Sequence, residues 1–200
     1  MTEKEKMLSG KLYFIRDEHL RNGMLESRNI TGLYNNTTHE EKEYRKELLK
    51  KLFEKIGNKI HIEAPLRCDY GCHVSIGDNF YANYDCIIIA VNKVKIGNNV
   101  FLGPRVCIYT SGHPIDATIR NTLLGFGKPV TIGDNVWIGG NTVINPGVVI
   151  GNNTVIGSGS VVTKNIPDNV VAAGNPCKAL RSLTEEDGKF WEEEKRRSFL

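Results

Sequence analysis

The sequence predicts a parallel β-helix, and three observations carry that prediction. Between residues 132 and 167 the chain reads IGDNVW-IGGNTV-INPGVV-IGNNTV-IGSGSV-VTKNIP, six units of six residues in phase. An aliphatic residue opens every unit: Ile132, Ile138, Ile144, Ile150, Ile156 and Val162. A second inward candidate follows four residues later: Val136, Thr142, Val148, Thr154, Ser160 and Ile166. A period of six is neither the period of a half-buried strand nor that of an amphipathic helix. A chain wound into stacked coils produces it. One coil cannot bury its apolar edge alone, so several must stack. Gly, Asn and Asp beside the openers suit the corners, where the backbone needs unusual dihedrals or bonds from side chain to backbone.

Residues 1–57 carry no hexads. The run LSGKLYF (residues 8–14) is a small apolar patch, and residues 17–28 predict a short helix. Thr38 followed three residues later by Glu41 has the form of a capping box. After it Tyr44, Leu48, Leu49, Leu52, Phe53 and Ile56 fall on one helical stripe, with Gly57 placed to end the helix. Hexads begin loosely near Ala64 and are clear from Ile76. Two extra residues intervene at Val94 and Lys95, and the register resumes from Ile96 to His113. Residues 114–131 (PIDATIRNTLLGFGKPVT) then break the pattern. A long irregular insertion in a regular scaffold is more often functional than accidental, and a loop standing out from the shaft is expected. Thr184 opens a charged C-terminal helix, with Phe190 and Trp191 as its expected docking residues. The chain divides into a helical N-terminal segment (1–57), a β-helix (58–181) with its insertion at 114–131, and a C-terminal helix (182–200).

The 200 residues carry a net charge of +3, too small to suggest nucleic-acid binding without a clustered patch. No leader-like segment and no apolar run long enough to span a bilayer is seen, so a soluble cytoplasmic protein without membrane contact is expected. Five cysteines (Cys68, Cys72, Cys86, Cys107 and Cys177) argue for reduced thiols. The cluster Cys68-x₃-Cys72-His73 has no second pair at metal-binding spacing. No metal is expected, and the thiols are expected to pack against the coil core.

A β-helix is a static shaft, so chemistry must come from what projects between its coils. His113 closes a hexad at the base of the insertion, where rigid coils hold it and a loop walls it. Imidazole can take a hydroxyl proton and return it near neutral pH. A lone histidine there would more often be an ordinary surface residue; the string around it changes those odds. Thr110-Ser111-Gly112-His113-Pro114 resembles the T-x-G-H-P segment of the maltose and galactoside O-acetyltransferases. Gly10-Lys11-Leu12-Tyr13, Asn79-Phe80-Tyr81-Ala82-Asn83, Asn135-Val136-Trp137-Ile138-Gly139, Asn145-Pro146-Gly147-Val148, Val161-Val162-Thr163-Lys164 and Ala172-Ala173-Gly174-Asn175-Pro176-Cys177 resemble further family motifs. The resemblance runs from about Gly10 to Arg181.

This resemblance implies a left-handed, triangular coil and an acetyl-CoA-dependent O-acetyltransferase acting on a sugar or similar hydroxylated small molecule. It implies His113 as general base in a direct attack on the thioester, and Asn83 as a substrate contact that also helps stabilise the tetrahedral intermediate. A turn asparagine at a coil corner is the plainer role for Asn83, and the preferred one for Asn79. Gly140 falls where relatives present a backbone N–H to the thioester carbonyl. Trp137 is implied as a wall of the acceptor or pantetheine channel, with packing between subunits as the alternative. Ser158, Thr163, Lys164, Lys178 and Arg181 match positions that hold CoA, whose phosphates want cations and backbone donors. A homotrimer with active sites between subunits is implied as well.

Two acidic sugar contacts of the family are absent, replaced by Ile89-Ala90-Val91 and by Phe14 and Ile15. Asp69 stands where a relative uses Ser to contact sugar. Another sugar or another hydroxylated molecule therefore suits the pocket, with antibiotic and serine acceptors as alternatives. Two readings outside this group are a carbonic anhydrase, which lacks paired histidines here (His61, His73 and His113 stand alone), and a non-catalytic scaffold, which has no need of His113, Asn83 and the basic positions together.

Overall fold

The computed structural model describes residues 1–199. Its body is a three-sided prism of parallel strands. The first face stacks Lys55–Ile56, Val74–Ile76, Val94–Ile96, Val130–Ile132 and Val149–Ile150. The second stacks His61–Ile62, Tyr81–Ala82, Phe101–Leu102, Trp137–Ile138, Val155–Ile156 and Val170–Gly174, and Cys177–Ser182 adds an antiparallel edge. The third stacks Arg67–Asp69, Ile87–Ile89, Cys107–Tyr109, Val143–Ile144 and Val161–Val162. The chain passes from first to second to third face in each coil, so three corners run the length of the shaft.

All twelve inward candidates of the hexads are buried, none more than 4% exposed. Thr142, Thr154 and Ser160 are among them, and their hydroxyls bond to backbone carbonyls of Gly139, Pro167 and Gly157. Burying a hydroxyl is tolerable once it has a partner. The first corner shows why Asx residues recur. Asn79, Asn99, Asn135, Asn153 and Asn169 all have φ between 52° and 58°. Their side chains form a ladder, each Nδ2 donating to the Oδ1 of the next coil at 2.9–3.0 Å. Asn79 is thus a corner residue. The preceding column (Asp78, Asn98, Asp134, Asn152 and Asp168) accepts a backbone N–H from the coil before it at every step. Glycine precedes four of these five residues, with Pro167 before Asp168, because the coils touch there. A Cβ on Gly97 would lie 2.6 Å from the Gly133 carbonyl oxygen.

The N-terminal segment differs in detail from expectation. A helix, Glu3–Leu8, has no counterpart in the sequence reading; Thr2 caps it through a capping box. The helix expected over 17–28 spans Glu18–Asn35, capped by Asp17. Its buried stripe continues through Ser27, Thr31 and Tyr34, and two small polar residues on that stripe disguised it. The next helix starts at Lys42 rather than after Thr38. Glu41 does accept the Thr38 N–H, but the Thr38 hydroxyl caps no helical N–H. It ends at Leu52, and Gly57 is a coil-corner glycine on the shaft's first coil. Coils begin at Lys55–Ile56, nine residues before Ala64.

The insertion adds no coil, since Val130–Ile132 pairs directly with Val94–Ile96. Its first half stands out as expected, with residues 115–122 exposed and Ile115 97% exposed, whereas its return strand is folded against the body. After a short helix, Ala117–Arg120, the strand Leu124–Gly127 returns between Ser111–Gly112 and the N-terminal strand Tyr13–Phe14, antiparallel to both. The C-terminal helix, Glu185–Ser198, starts at Thr184 as expected. Its aromatic pair does not dock: Phe190 and Trp191 are 56% and 68% exposed and meet edge-to-face, 5.1 Å apart. Cys72 is exposed rather than a core thiol, whereas Cys68, Cys86 and Cys177 are buried.

Close stacking at the first corner makes a direct test. Gly97→Ala puts a methyl into the neighbouring coil's backbone, where overpacking costs about 1–3 kcal/mol. Gly32→Ala lies in the last turn of the helix Glu18–Asn35 with open space around it and is expected to stabilise by roughly 0.5–1 kcal/mol. Chemical denaturation of both variants should show opposite shifts. Equal shifts would mean that coil contact does not set the glycine pattern.

Candidate active site at two corners of the shaft

The sequence-predicted residues fall into two groups. His113 follows the third face, at the third corner. Thr163 and Lys164 occupy the same corner two coils on, both exposed. Asp69 ends the third-face strand of the first coil. Asn83, Gly140 and Ser158 lie at the second corner, and Trp137 stands beside them on the second face. Lys178 and Arg181 lie on the antiparallel edge strand at the far end of the second face.

His113 is held by the insertion. The Leu124 carbonyl oxygen lies 3.1 Å from its Nδ1. A carbonyl only accepts, so Nδ1 carries the proton and Nε2 is left with its lone pair. The ring is exposed, its Nε2 without a partner among the described residues. Leu124 is positioned in turn by strand pairing on both sides, opposite Phe14 on one, with Phe126 opposite Gly112 on the other. Asn92 ties these pieces to the shaft. It is 4% exposed, and its Nδ2 donates to the carbonyls of Met7, Leu8 and Gly127 at 3.0–3.2 Å. A small second core of Met7, Tyr13, Leu20, Tyr70 and Val91 packs beside it. Burial pushes the Tyr13 and Tyr70 phenols up to about 12, so both stay neutral.

At the second corner the Asn83 Oδ1 accepts the N–H of Tyr84 at 2.8 Å. The asparagine serves its own turn, and its amide NH₂ has no partner among the described residues. The backbone N–H groups of Gly140 and Ser158, on successive coils, also have no acceptor among the described residues. Gly103 lies directly below, and a Cβ there would come within 2.6 Å of the Gly140 nitrogen. This corner offers a short column of unsatisfied donors. Trp137 is 57% exposed and stacks in register above Phe101, which stands above Tyr81 and His61.

Asp69 is not a free hydrogen-bond acceptor. Its two oxygens receive Nε and Nη2 of Arg28 at 2.7 and 2.8 Å. The pair lines a cleft of about 500 Å³ with Thr31, Asn35, Ile87 and Ile89. Arg28 was missed by the sequence reading. It lies 41 residues from Asp69, and only the length of its helix brings the two together. Lys164 and Lys178 make no ion pair among the described residues, whereas Arg181 is paired with Asp187. His73 belongs to the structure: its Nδ1 meets the Ala90 carbonyl at 2.7 Å, and burial lowers its pKa. Among the described residues no three metal-donor side chains gather in one place.

Known proteins match this arrangement over nearly its whole length. The family described as bacterial transferase hexapeptide (six repeats) matches residues 129–164, and the maltose acetyltransferase hexapeptide capping motif matches residues 6–57. The crystal structure of a maltose O-acetyltransferase from Clostridium difficile 630 superposes with a TM-score of 0.91. It is 53% identical, covering 92% of this chain and 98% of that one. The chain belongs to the maltose/galactoside O-acetyltransferase family. A galactoside acetyltransferase in complex with coenzyme A also superposes at 0.91, 41% identical over 94% of each chain. The galactoside O-acetyltransferase of Escherichia coli K12 is 40% identical over 96% of this chain and 94% of its own length. Membership places the chain among the acetyl-CoA-dependent O-acetyltransferases and accounts for its left-handed β-helix.

The latch at Asn92 predicts a local effect. Asn92→Leu removes the donor to three carbonyls, two of them in buried contacts, and leaving buried polar groups unpaired costs about 1–3 kcal/mol. Amide hydrogen exchange should speed up in Tyr13–Phe14 and Leu124–Gly127 while coil amides such as Ile138 stay protected. Uniform acceleration through the shaft would show that Asn92 supports the coils and not the strand that holds His113.

Proposed function

We propose that the chain transfers the acetyl group of acetyl-CoA to a hydroxyl of a sugar or similar small molecule, at sites formed between the subunits of a homotrimer. The observation that carries this reading is the His113–Leu124 hydrogen bond, which leaves Nε2 as a free base. Nε2 takes the acceptor's hydroxyl proton as the oxygen attacks the thioester carbonyl. A C–O bond forms, and the tetrahedral oxyanion is met by the Gly140 N–H, while the Asn83 amide, two coils away on the same corner, would contact the acceptor. Collapse breaks the C–S bond, and the leaving thiolate takes the proton back from His113. The Ser158 N–H column, Thr163, Lys164, Lys178 and Arg181 would then hold the pantetheine arm and the phosphates of CoA.

Topology supports the inter-subunit site. His113 is on the third corner, and Gly140 and Asn83 are on the second, with the third face between them. Its first three strands are three residues wide, about 10 Å at roughly 3.3 Å per residue. That separation favours a second chain supplying one of the two groups. A threefold arrangement of three-sided shafts would set one chain's third corner against its neighbour's second. Trp137 and Phe101 would then be covered by the neighbour or by substrate. The acceptor would enter the cleft beside Arg28 and Asp69, where Ile87 and Ile89 supply an apolar wall. The carboxylate there is already neutralised, and hydroxyl recognition would fall to the outer edge of Arg28. Five free cysteines suit a reducing cytoplasmic setting.

Acetyl-CoA turnover, followed by released thiol across sugars and other hydroxylated compounds, tests the reading. A positioned general base typically contributes ~10²–10⁴-fold, so His113→Ala should lose at least ~10²-fold in kcat. His113 is exposed, so its melting temperature and assembly should be unchanged. A large fall in stability, or turnover that survives the substitution, would remove His113 from the chemistry.

A further inference from the structure

We propose that Asp187 is the positioning residue of the phosphate site at Arg181, holding the guanidinium so that one edge stays open to a phosphate of acetyl-CoA. This rests on the CoA-binding role given above to Arg181 and adds a residue to it.

Arg181 lies on the edge strand Cys177–Ser182, opposite Val171. Its Nη1 donates to Asp187 Oδ2 at 2.6 Å and to the Ser182 carbonyl at 3.0 Å. Its Nη2 donates to Asp187 Oδ1 at 2.8 Å. These bonds use both Nη1 hydrogens and one Nη2 hydrogen. The Nε–H and the second Nη2–H remain, side by side on one edge of the planar group. That edge is the fork that binds phosphate bidentately. The carboxylate occupies one fork and aims the other.

Asp187 is itself fixed. It is the third residue of the C-terminal helix, and its Oδ2 also accepts the backbone N–H of Thr184 at 2.9 Å. The paired guanidinium holds the Asp187 carboxyl down to about 2, so the contact persists through the physiological range. The pair is exposed, and exposed ion pairs add little to stability. Its effect is to restrict a long side chain before the ligand arrives, which lowers the ordering cost of binding.

The test is steady-state kinetics and direct binding of acetyl-CoA and its 3′-dephospho analogue, with Asp187→Ala, Arg181→Ala and the double variant. Asp187→Ala is expected to raise the acetyl-CoA KM roughly three- to ten-fold, with the acceptor KM unmoved. In the Arg181→Ala background the same change should do nothing, and Asp187→Glu should restore part of the loss. Disappearance of the effect with the dephospho analogue would place the 3′-phosphate at the fork, and its persistence the pyrophosphate; both support the proposal. Tighter acetyl-CoA binding by Asp187→Ala would make Asp187 a competitor and overturn it. So would an equal effect with and without Arg181, which would mark a helix anchor. Wild-type protein that binds no acetyl-CoA would overturn the CoA reading and this inference together, whereas normal binding unaffected by Asp187→Ala would overturn only the latter.

Discussion

Coil-on-coil hydrogen bonding in a fixed register is the constraint on which the rest of this structure depends. Each strand bonds to the strand one coil away, so every outward residue is fixed against its neighbours above and below. A shift of one residue would turn the inward column outward. The Asn ladder and the Asp/Asn column at the first corner lock that register. The glycines keep the coils close enough for the ladder to form. The proposed chemistry falls where the register is relaxed. Val94 and Lys95 pair within the first face, so the two extra residues fall instead at the third corner, within 90–93; the same corner, one coil on, carries the insertion, and there Asn92 and His113 sit. The shaft tolerates the insertion because Val130 lands back on Val94.

The insertion is better understood as a support than as a lid. Its return strand is bonded between the shaft edge and the N-terminal strand, and its Leu124 carbonyl fixes the tautomer of His113. The N-terminal segment thereby joins the site without supplying a reacting group. Tyr13 pairs with Gly125, Met7 and Leu8 accept from Asn92, and the small core around Tyr70 holds the segment down. Three segments remote in sequence converge to orient one imidazole, the kind of support that positioning catalysis requires.

Sequence revealed the fold where the physics is periodic. A six-residue repeat leaves few solutions, and every inward position read from it is buried. The corners were legible because glycine and asparagine there have local causes, and the break in the repeat beside His113 is visible for the same reason. What failed was non-periodic. The stripe of the second helix was hidden by Ser27 and Thr31, whose hydroxyls are satisfied locally. Gly57 was assigned to a helix end because a lone glycine after a helical stripe has the same pattern as the first coil's corner. Phe190 and Trp191 follow the pattern of docking residues yet have nothing to dock on in one chain. The Arg28–Asp69 and Arg181–Asp187 pairs depend on where helices end up in space, and no local pattern records that.

The central claim is that a backbone carbonyl fixes His113 as the Nδ1–H tautomer and leaves Nε2 as the base. Nitrogen-15 NMR of histidine-labelled protein above the imidazole pKa, with His113→Gln to assign the resonances, tests it most directly. The structure predicts a protonated Nδ1 and an unprotonated, solvent-facing Nε2 at His113. A proton on Nε2, or a freely exchanging mixture of tautomers, would contradict the account.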